Sequence, residues 1–344
     1  MIATKTFVNK YFDNPNDIKL SVIVTFFNHQ ELVNPVLKGI LNSVELNYEL
    51  IIINDGSEDL TGTNISDWLR QVTFPDNLSA IHSVRIRISR FETKCDNLGA
   101  KMAQGNYIFF LQGDMVLDDT GIDSRLVAIL DSDKRIGAIS GHSLEANGNG
   151  EYKANIWLKS KGTSFNLRQL RKSPMKDFER KSKKARVCFV EEYDSLEELV
   201  ATFKEYRHIY YNNTERGLNR NLFKKDVVFI GKYINRGPII IENRYFQELG
   251  MYKDQIYFQG FDDIDLSLEI CKNGRVVGFC PMNYVSKSSW GVGRKSKSWL
   301  TILNIILQIL IRRKNSRLSL LFDKELVNKE NALHGDVFVF GSEG

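Results

Sequence analysis

Three groups of carboxylates stand at the ends of predicted elements of this sequence, where their side chains could do chemistry. Asp114 follows one apolar run, Asp55 follows another, and Asp262, Asp263 and Asp265 crowd the start of a predicted helix. A carboxylate can bind a divalent cation, accept hydrogen bonds from a ribose or a base, or take a proton as a general base. The structural alternatives are an ordinary turn for the first two groups and a favourable helix start for the third.

Three mainly apolar runs must position the first two carboxylates. They are Leu20–Thr25, Tyr48–Ile53 and Tyr107–Leu111. Such runs are typical of parallel strands that are buried on both faces. Because the carboxyl ends of parallel strands line a ligand crevice in open α/β sheets, we expect the residues after these runs to lie together.

Helical periodicity and shorter apolar runs predict the remaining elements. Residues 1–18 have the composition of a polar lead-in, and residues 83–89 alternate like an exposed strand. The predicted helices span Asn28–Ser43, Thr61–Gln71, Asn97–Ala103 and Ser195–Arg207, and two further predicted strands span Ile239–Ile241 and Arg275–Phe279. Strand, helix and strand within about thirty residues indicate βαβ units.

Composition limits the functional classes. The chain has 344 residues, 42% hydrophobic and 26% charged, which suits an ordinary globular protein with one large α/β domain. Its net charge of +5 is no nucleic-acid signature, so nucleic acid is not an expected partner. We see no signal peptide, no run of about 18 apolar residues, and no metal or disulfide spacing among the four cysteines. We therefore expect a cytoplasmic protein.

Two segments outside the sheet carry a distinctive pattern. In the basic insertion, about residues 142–225, Lys159–Arg186 holds eleven Lys or Arg residues against two acidic ones. The insertion is either solvated surface or a loop that meets phosphates or anionic headgroups. Trp299–Ile311 is strongly apolar and is followed by three basic residues. This segment predicts a helix that either packs on the domain or lies on a membrane surface.

Four motifs in a fixed order carry a family resemblance. They are Ser21–Asn28, Ile53–Asp59, Asn97–Ala100 with Gly105–Ile108, and Gln112–Asp114. Together they resemble the motifs of family 2 glycosyltransferases of the GT-A fold, over about residues 20–290 with a gap in the middle. The resemblance implies transfer of a sugar, with inversion, from a nucleoside diphosphate sugar to an acceptor hydroxyl. The donor is expected to be UDP-linked, and the acceptor a saccharide or a lipid-linked glycan.

The resemblance also implies roles for residues on the donor side. Thr25, Phe27, Asp55 and Asn97 would bind the nucleotide, and Asp114 would bind a Mn²⁺ or Mg²⁺ ion.

The sequence departs from the family pattern at two places. The family usually has Asp-x-Asp at the strand end, and Gln112 takes the first position here. Many relatives carry a further histidine ligand after the position of Pro281, and none of the five histidines of this chain fits it. A hard cation needs only one or two protein carboxylates when substrate phosphates complete its coordination, so we still predict the ion.

The segment Gly260–Leu268 resembles the acceptor-side motif of the same family. Asp263 matches the catalytic base of inverting members, and Asp262 replaces the more usual Glu. Clustered carboxylates raise one another's pKa, which suits a general base. We assign Asp262, Trp290 and Arg294 to the acceptor or diphosphate side.

We therefore predict an α/β, GT-A-like fold with a mostly parallel central sheet flanked by helices. Residues 1–290 would form the glycosyltransferase domain, including the basic insertion, and residues 291–344 a C-terminal helical extension. The predicted role is polysaccharide biosynthesis, with peripheral contact to the inner face of the membrane.

Two alternative functions remain open. A nucleotidyltransferase would normally want a glycine-rich, basic loop after the first strand, and residues 25–31 contain neither glycine nor Lys or Arg. A catalytically decayed protein that binds carbohydrate or another partner is favoured by Gln112 and by the absent histidine. Asp263 argues against that second alternative.

Overall fold

The structure is a computed structural model of the 344-residue chain. It describes residues 2–9, 17–145, 188–190, 193, 195–206, 208–211, 226–255, 262–286, 299, 302–303, 306–307 and 337–340. Within these ranges the main elements are one large sheet, two small sheets and the helices that pack on them.

The strands of the described residues fall into three sheets. They are β1 (Ile2–Val8), β2 (Leu20–Phe26), β3 (Tyr48–Asp55), β4 (Leu78–Ile86), β5 (Tyr107–Gln112), β6 (Met115–Leu117), β7 (Ile136–Ser140), β8 (Ser143–Glu145), β9 (Cys188–Phe189), β10 (His208–Tyr210), β11 (Asp226–Gly231), β12 (Tyr233–Ile234), β13 (Ile239–Glu242), β14 (Val276–Phe279), β15 (Tyr284–Ser286) and β16 (Val337–Phe340). The main sheet has the order β1-β4-β3-β2-β5-β13-β7-β14-β11-β16, and the small sheets have the orders β12-β8-β10-β9 and β15-β6.

The main sheet is mostly parallel, as predicted. Of its ten described strands, seven point in one direction, and β1, β11 and β13 run against them. β2 and β3 are buried along their whole length, which explains why their sequences are apolar without alternation. The register places Thr25 of β2 beside Ile53 of β3 and Gln112 of β5, so these three strands end at the same edge.

One reversed strand divides the sheet. β13 lies between β5 and β7 and pairs antiparallel with both, and its three isoleucines, Ile239, Ile240 and Ile241, are fully buried. A strand from the second half of the chain therefore completes the core of the first half.

The helices of the described residues cover the sheet. They are α1 (Val33–Ser43), α2 (Thr61–Gln71), α3 (Glu92–Met102), α4 (Ile122–Ser132), α5 (Leu196–Tyr206), α6 (Asn243–Glu248) and α7 (Asp262–Lys272). α3 packs directly on β2 and β3. Gly99 permits this close packing, because a Cβ at that position would lie 2.7 Å from the Ile23 side chain.

The structure confirms the predicted β2, β3, β5, β13, β14, α2 and α5. Ser195 caps α5 as predicted, since its Oγ accepts the Glu198 N–H at 3.1 Å. The predicted Asn28–Ser43 helix begins only at Val33. The reason is that Asn28 has a left-handed φ of 54° and that the Asn28 side chain bonds the backbone of the loop after β3.

Three predictions at other element ends were wrong. Residues 1–18 were expected to be a polar lead-in, but Ile2–Val8 forms the mostly exposed edge strand β1. The strand expected at residues 83–89 runs from Leu78 to Ile86 and is largely buried, because β1 and β3 flank it. α3 begins at Glu92, five residues before the predicted start, and this change brings Glu92 and Asp96 onto the helix.

Most of the predicted basic insertion lies outside the described residues. The predicted division of the chain at residue 290 stays a prediction, and residues 337–340 supply the outermost strand, β16, next to β11. Within the described ranges, no helix has both the length and the apolar character that a membrane span requires.

Candidate active site

The carboxyl ends of β2, β3 and β5 bring the predicted donor-side residues to one edge of the sheet. Thr25 is almost buried at the end of β2, and its Oγ1 donates to Asp96 Oδ1 at 3.3 Å. Phe27 follows β2 at once and is half-buried. Asp55 is the last residue of β3 and is 2% exposed.

Asp55 fixes the loop between β4 and α3. Its Oδ1 accepts the Arg90 N–H at 2.6 Å, and its Oδ2 accepts the Ser89 hydroxyl at 2.7 Å and the Phe91 N–H at 2.9 Å. Phe91 has a φ of 69°, so these bonds hold a strained backbone at the start of α3. Burial raises the pKa of Asp55 to about 6, and the same hydrogen bonds oppose that shift. The carboxylate therefore shapes the wall of the crevice.

Asn97 has an equally complete set of partners. Its Nδ2 donates to the Tyr252 carbonyl oxygen at 2.7 Å and to Asp254 Oδ2 at 3.0 Å, and its Oδ1 accepts the Tyr252 N–H at 3.1 Å. Asn97 thus ties α3 to the 252–254 turn.

Asp114 lies just past β5 and is half-buried. Ser286 of β15 donates its hydroxyl to Asp114 Oδ2 at 2.9 Å. Gly113 is needed between Gln112 and Asp114, because a Cβ there would lie 2.7 Å from the Thr25 carbonyl oxygen. Burial lowers the pKa of His29, and the negative charge of Asp114 is the largest influence that opposes this shift. His29, from the loop after β2, is therefore an electrostatic neighbour of Asp114.

The donor set at Asp114 fits a cation only in part. Across the described ranges, no three or more His, Cys, Asp or Glu side chains are grouped so as to hold a metal ion. One carboxylate with a serine hydroxyl beside it suits Mg²⁺ or Mn²⁺ only where substrate phosphates supply the other ligands. The ion at Asp114 stays a prediction of this shared kind.

Asp263 sits in the first turn of α7 and is 9% exposed. Its Oδ2 accepts the Arg236 backbone N–H at 2.6 Å, and its Oδ1 accepts the Ile264 N–H at 2.8 Å. The two N–H groups fix the orientation of the carboxylate while leaving a further lone pair on each oxygen. This arrangement suits a group that receives a proton from a bound hydroxyl.

Arg236 stands at the centre of a buried ionic cluster beside Asp263. Its guanidinium forms ion pairs with Asp96 of α3 and Asp262 of α7, and its Nε lies 3.2 Å from Glu92 Oε1. The guanidinium carbon also lies 5.1 Å from the centroid of the Tyr252 ring. We call Arg236 with Glu92, Asp96 and Asp262 the Arg236 cluster.

Burial controls the protonation of this cluster. It raises the pKa of Asp96 to about 6 and that of Asp262 to about 7, although the positive charge of Arg236 opposes both shifts. The Asp262 Oδ1 atom is buried and has no hydrogen-bond partner among the described residues. Burial therefore favours the protonated form of Asp262, while the ion pair with Arg236 favours the charged form.

The cluster reaches the donor side through Gln112. The Gln112 side-chain amide donates to Glu92 Oε1 at 2.6 Å, the same oxygen that Arg236 Nε approaches. The residue that replaces the first Asp of Asp-x-Asp is thus bonded to the ionic cluster that lies beside the predicted base.

The sequence did not identify Arg236, Glu92, Asp96 or His29 as site residues. Glu92 and Asp96 are four residues apart on α3, which places them on one helix face. That spacing was the available signal, but Arg236 lies 140 residues from Asp96 in the chain. Trp290 and Arg294, predicted on the acceptor or diphosphate side, lie outside the described residues.

Comparison with known sequences identifies a family for the first half of the chain. The profile of the family described as Glycosyl transferase family 2 matches residues 21–187, which confirms the resemblance predicted from the motifs. The poly-beta-1,6-N-acetyl-D-glucosamine synthase of Staphylococcus epidermidis is 30% identical over 125 residues, 36% of this chain and 28% of that protein. An uncharacterized glycosyltransferase of Rickettsia conorii is 35% identical over 105 residues, 29% of this chain and 15% of that protein. The chain thus matches less than a third of the length of either relative.

The chain was also superposed on solved structures. A mannosyltransferase from Pyrobaculum calidifontis in complex with GDP-Man and Mn²⁺ superposes with a TM-score of 0.49 and 13% identity, over 92% of this chain and 71% of that one. TarS from S. aureus superposes with a TM-score of 0.46 and 12% identity, over 90% of this chain and 69% of the TarS chain.

Proposed function

With residues 21–187 identified as a glycosyl transferase family 2 domain, we propose that this chain transfers a sugar from a nucleoside diphosphate sugar to an acceptor hydroxyl. One observation carries the proposal. The ends of β2 and β5 and the start of α7 are joined by side-chain contacts through the Arg236 cluster. These contacts support the proposal that the donor-side and acceptor-side carboxylates belong to a single site.

On the donor side, the nucleoside would lie against Thr25, Phe27 and the loop that Asp55 fixes. Asn97 would contribute by holding the 252–254 turn against α3. Asp114 would hold a Mn²⁺ or Mg²⁺ ion together with the diphosphate oxygens. Such an ion, when bound, supplies positive charge against the departing diphosphate.

On the acceptor side, Asp263 would be the general base of an inverting displacement. The acceptor hydroxyl oxygen forms a bond to the anomeric carbon while the bond from that carbon to the diphosphate oxygen breaks. The hydroxyl proton passes to Asp263, whose orientation is held by the N–H groups of Arg236 and Ile264. Asp262 would support this geometry through its ion pair with Arg236.

The acceptor would be a saccharide or a lipid-linked glycan. The Staphylococcus epidermidis relative, named for polysaccharide synthesis, supports a saccharide acceptor, although the match covers 28% of that protein. Trp290 and Arg294 are proposed to meet the acceptor or the diphosphate.

A membrane surface is the proposed place of action, at its cytoplasmic face. The helical positions Trp299, Ile302, Leu303, Ile306 and Leu307 recur at helical spacing, and each side chain is 44% to 69% exposed. Five exposed apolar side chains at regular helical spacing support an interaction site.

Cations share the surface next to this apolar stripe. Leu303 and Leu307 line a cleft together with Arg90, Lys94 and Lys101. Apolar side chains beside cations suit an anionic lipid surface, because the apolar groups enter the headgroup boundary and the cations pair with the lipid charge.

Donor binding tests the first half of the proposal. Calorimetry with UDP and Mn²⁺ is expected to give metal-dependent binding by the full chain, lost in Asp114→Ala. Asp67→Ala, on the exposed side of α2, is the matched control and should bind like the wild type. Equal affinity of Asp114→Ala and wild type in the presence of metal would show that Asp114 is no metal ligand.

Turnover tests the second half. Asp263→Asn is expected to lower transfer by about 10² to 10⁴, the usual contribution of a positioned general base, while donor affinity stays nearly unchanged. Asp265→Asn is the control, since Asp265 pairs with Lys253 at 3.2 Å and should affect stability more than rate. Near-normal turnover of Asp263→Asn together with an inactive Asp265→Asn would assign the general base to Asp265 instead.

A carbohydrate-binding protein without turnover is the second candidate. Gln112, bonded to Glu92, is the observation that favours it, because an amide replaces a carboxylate where family 2 enzymes usually carry Asp-x-Asp. This candidate predicts saccharide binding by the full chain with no release of nucleoside diphosphate from any donor.

A further inference from the structure

Arg236 contacts both the proposed base and the carboxylates on the donor side of the site. Its backbone N–H holds one oxygen of Asp263, while its side chain reaches Glu92, Asp96 and Asp262. The backbone of Arg236 therefore contacts the proposed base, while its side chain contacts the three carboxylates of the Arg236 cluster.

We propose that Arg236 is the positioning residue of this site, which holds the base Asp263 in place and couples it to the donor-side strand end at Gln112. The inference rests on the proposed glycosyl transfer and adds to it the residue that joins its two halves. Arg236 touches no reacting atom in this role and acts through Asp263 and Glu92.

The charge balance explains why the position demands a cation. The Asp96 and Asp262 side chains are 3% and 1% exposed, and Arg236 is 15% exposed, so water cannot screen them well. Removing the cation from a buried ion pair leaves an uncompensated charge, which is far more costly than losing an exposed pair. Without Arg236, the side chains that line the vacated space include the carboxylates Glu92, Asp96 and Asp262 and the phenol of Tyr252.

The geometry explains why the cation should be arginine. Three separate nitrogens of one planar group face three carboxylates on two different helices: Nε faces Glu92, Nη2 faces Asp96 and Nη1 faces Asp262. A lysine ammonium is a single point charge on a flexible stem and cannot hold all three directions. The planar group therefore locks α3 to α7, and the N–H of the same residue follows that lock.

Two links couple Arg236 to the donor side, and the first runs through one oxygen atom. Glu92 Oε1 receives the Gln112 amide at 2.6 Å and lies 3.2 Å from Arg236 Nε. Thr25 adds a second link, since its hydroxyl donates to Asp96, another partner of Arg236. Movement at the ends of β2 or β5 on donor binding would thus reach Asp263 through Arg236.

The test compares Arg236→Lys and Arg236→Met with wild type, using the full chain. Release of nucleoside diphosphate is followed over a range of pH with a panel of nucleotide sugars, UDP-linked donors first, with and without saccharide acceptors. Arg244→Lys is the matched control, because Arg244 is a largely exposed arginine that pairs with Glu248 one helical turn away.

We expect Arg236→Lys to lower kcat about 10²-fold, the scale of a small misplacement of a catalytic group, with donor KM within about twofold of wild type. For Arg236→Met we expect the acid limb of the pH profile to move up by about one unit or more, because carboxyls that lose a neighbouring cation keep their protons to higher pH. Guanidinium ion added to Arg236→Met should restore part of the rate. Arg244→Lys should match wild type throughout.

A structural role alone would lower the melting temperature of both variants without moving the pH profile or responding to guanidinium, and that result would overturn the inference. Wild-type turnover with an unchanged kcat in Arg236→Lys would also overturn it, leaving glycosyl transfer intact. Absence of turnover in the wild type with every donor would instead overturn the proposed function, and the positioning role with it.

Discussion

Replacing Gln112 by glutamate tests the link between the strand end and the ionic cluster. Gln112→Glu keeps the size of the side chain and exchanges the amide nitrogen, which donates to Glu92 Oε1 at 2.6 Å, for a carboxylate oxygen. The substitution thus replaces a hydrogen-bond donor with a carboxylate that faces the carboxylate of Glu92. The variant therefore probes one contact with almost no change of volume.

The expected cost follows from two terms. The lost hydrogen bond to a charged group is worth about 1.5 to 3 kcal/mol. Repulsion between two charges about 3 Å apart is about 5 kcal/mol at an effective dielectric constant of about 20 if neither side chain moves. Because Gln112 and Glu92 are only half-buried and can turn apart, or share a proton, we expect a net loss of about 2 to 4 kcal/mol at pH 8.

The loss should depend on pH in a defined direction. Repulsion raises the pKa of the introduced carboxyl above its unfolded value, so the folded variant binds more protons than the unfolded chain. The contribution of this carboxyl to the free energy of unfolding is then fully present below about pH 4 and is lost as the pH rises through the raised pKa. Relative to wild type, Gln112→Glu should therefore lose more stability at pH 8 than at pH 5.

Thermal unfolding at the two pH values measures this difference. At about 2 °C per kcal/mol for a chain of this size, the melting temperature should fall by roughly 4 to 8 °C at pH 8, and by less at pH 5. Gln71→Glu, at the exposed end of α2, is the control and should change little at either pH. An equal shift of Gln112→Glu at both pH values would refute the contact between Gln112 and Glu92.

Three further outcomes are expected. Burial raises the pKa of Asp262 to about 7, so the contribution of its protonated form to stability is lost as the pH rises from about 4 through 7. Between pH 5 and 8, the free energy of unfolding in urea should therefore fall by roughly 2 to 4 kcal/mol less for Asp262→Asn than for the wild type. Asp123→Ala should cost about 2 to 3 kcal/mol in urea unfolding, because this fully buried carboxylate accepts two backbone N–H groups of the loop after α1, and an unchanged midpoint would contradict this. Ile302→Ser combined with Ile306→Ser should weaken sedimentation with anionic liposomes at least tenfold, at about 1.5 kcal/mol or more per buried side chain, and unchanged binding would exclude this face.

The sequence predicted the strands that form the floor of the site because their physical cause is local. β2, β3 and β5 are apolar without alternation, and this pattern arises when both faces of a strand are covered. The position of the residues after these strands, at the carboxyl ends, then follows from chain order alone. β1 escaped prediction because an exposed edge strand has no burial pattern, and its pairing with β4 depends on residues about eighty positions away.

The ionic cluster could not be predicted from sequence for a different reason. Arg236 is an ordinary loop residue until Glu92 and Asp96 from α3 and Asp262 from α7 come together around it. The sequence identified Asp263 through a local motif, while its hydrogen bond from the Arg236 backbone depends on how two distant segments pack. The sequence shows which residue types are present, but not which of them form ion pairs and hydrogen bonds in the folded chain.

The insertion of β13 between β5 and β7 has a consequence for how this chain reaches its native state. The segment that matches the family profile ends at residue 187, and β13 spans Ile239–Glu242, so that segment alone leaves the facing edges of β5 and β7 unpaired. During synthesis, about 100 residues must follow β7 before its neighbour emerges, which takes about 5 to 20 s at usual ribosomal rates. Over that interval the nascent chain exposes apolar strand edges that invite pairing with other chains. Completion of the fold in the cell therefore depends on keeping these edges apart from other nascent chains, and a gene fragment cut at the family boundary would encode an aggregation-prone polypeptide.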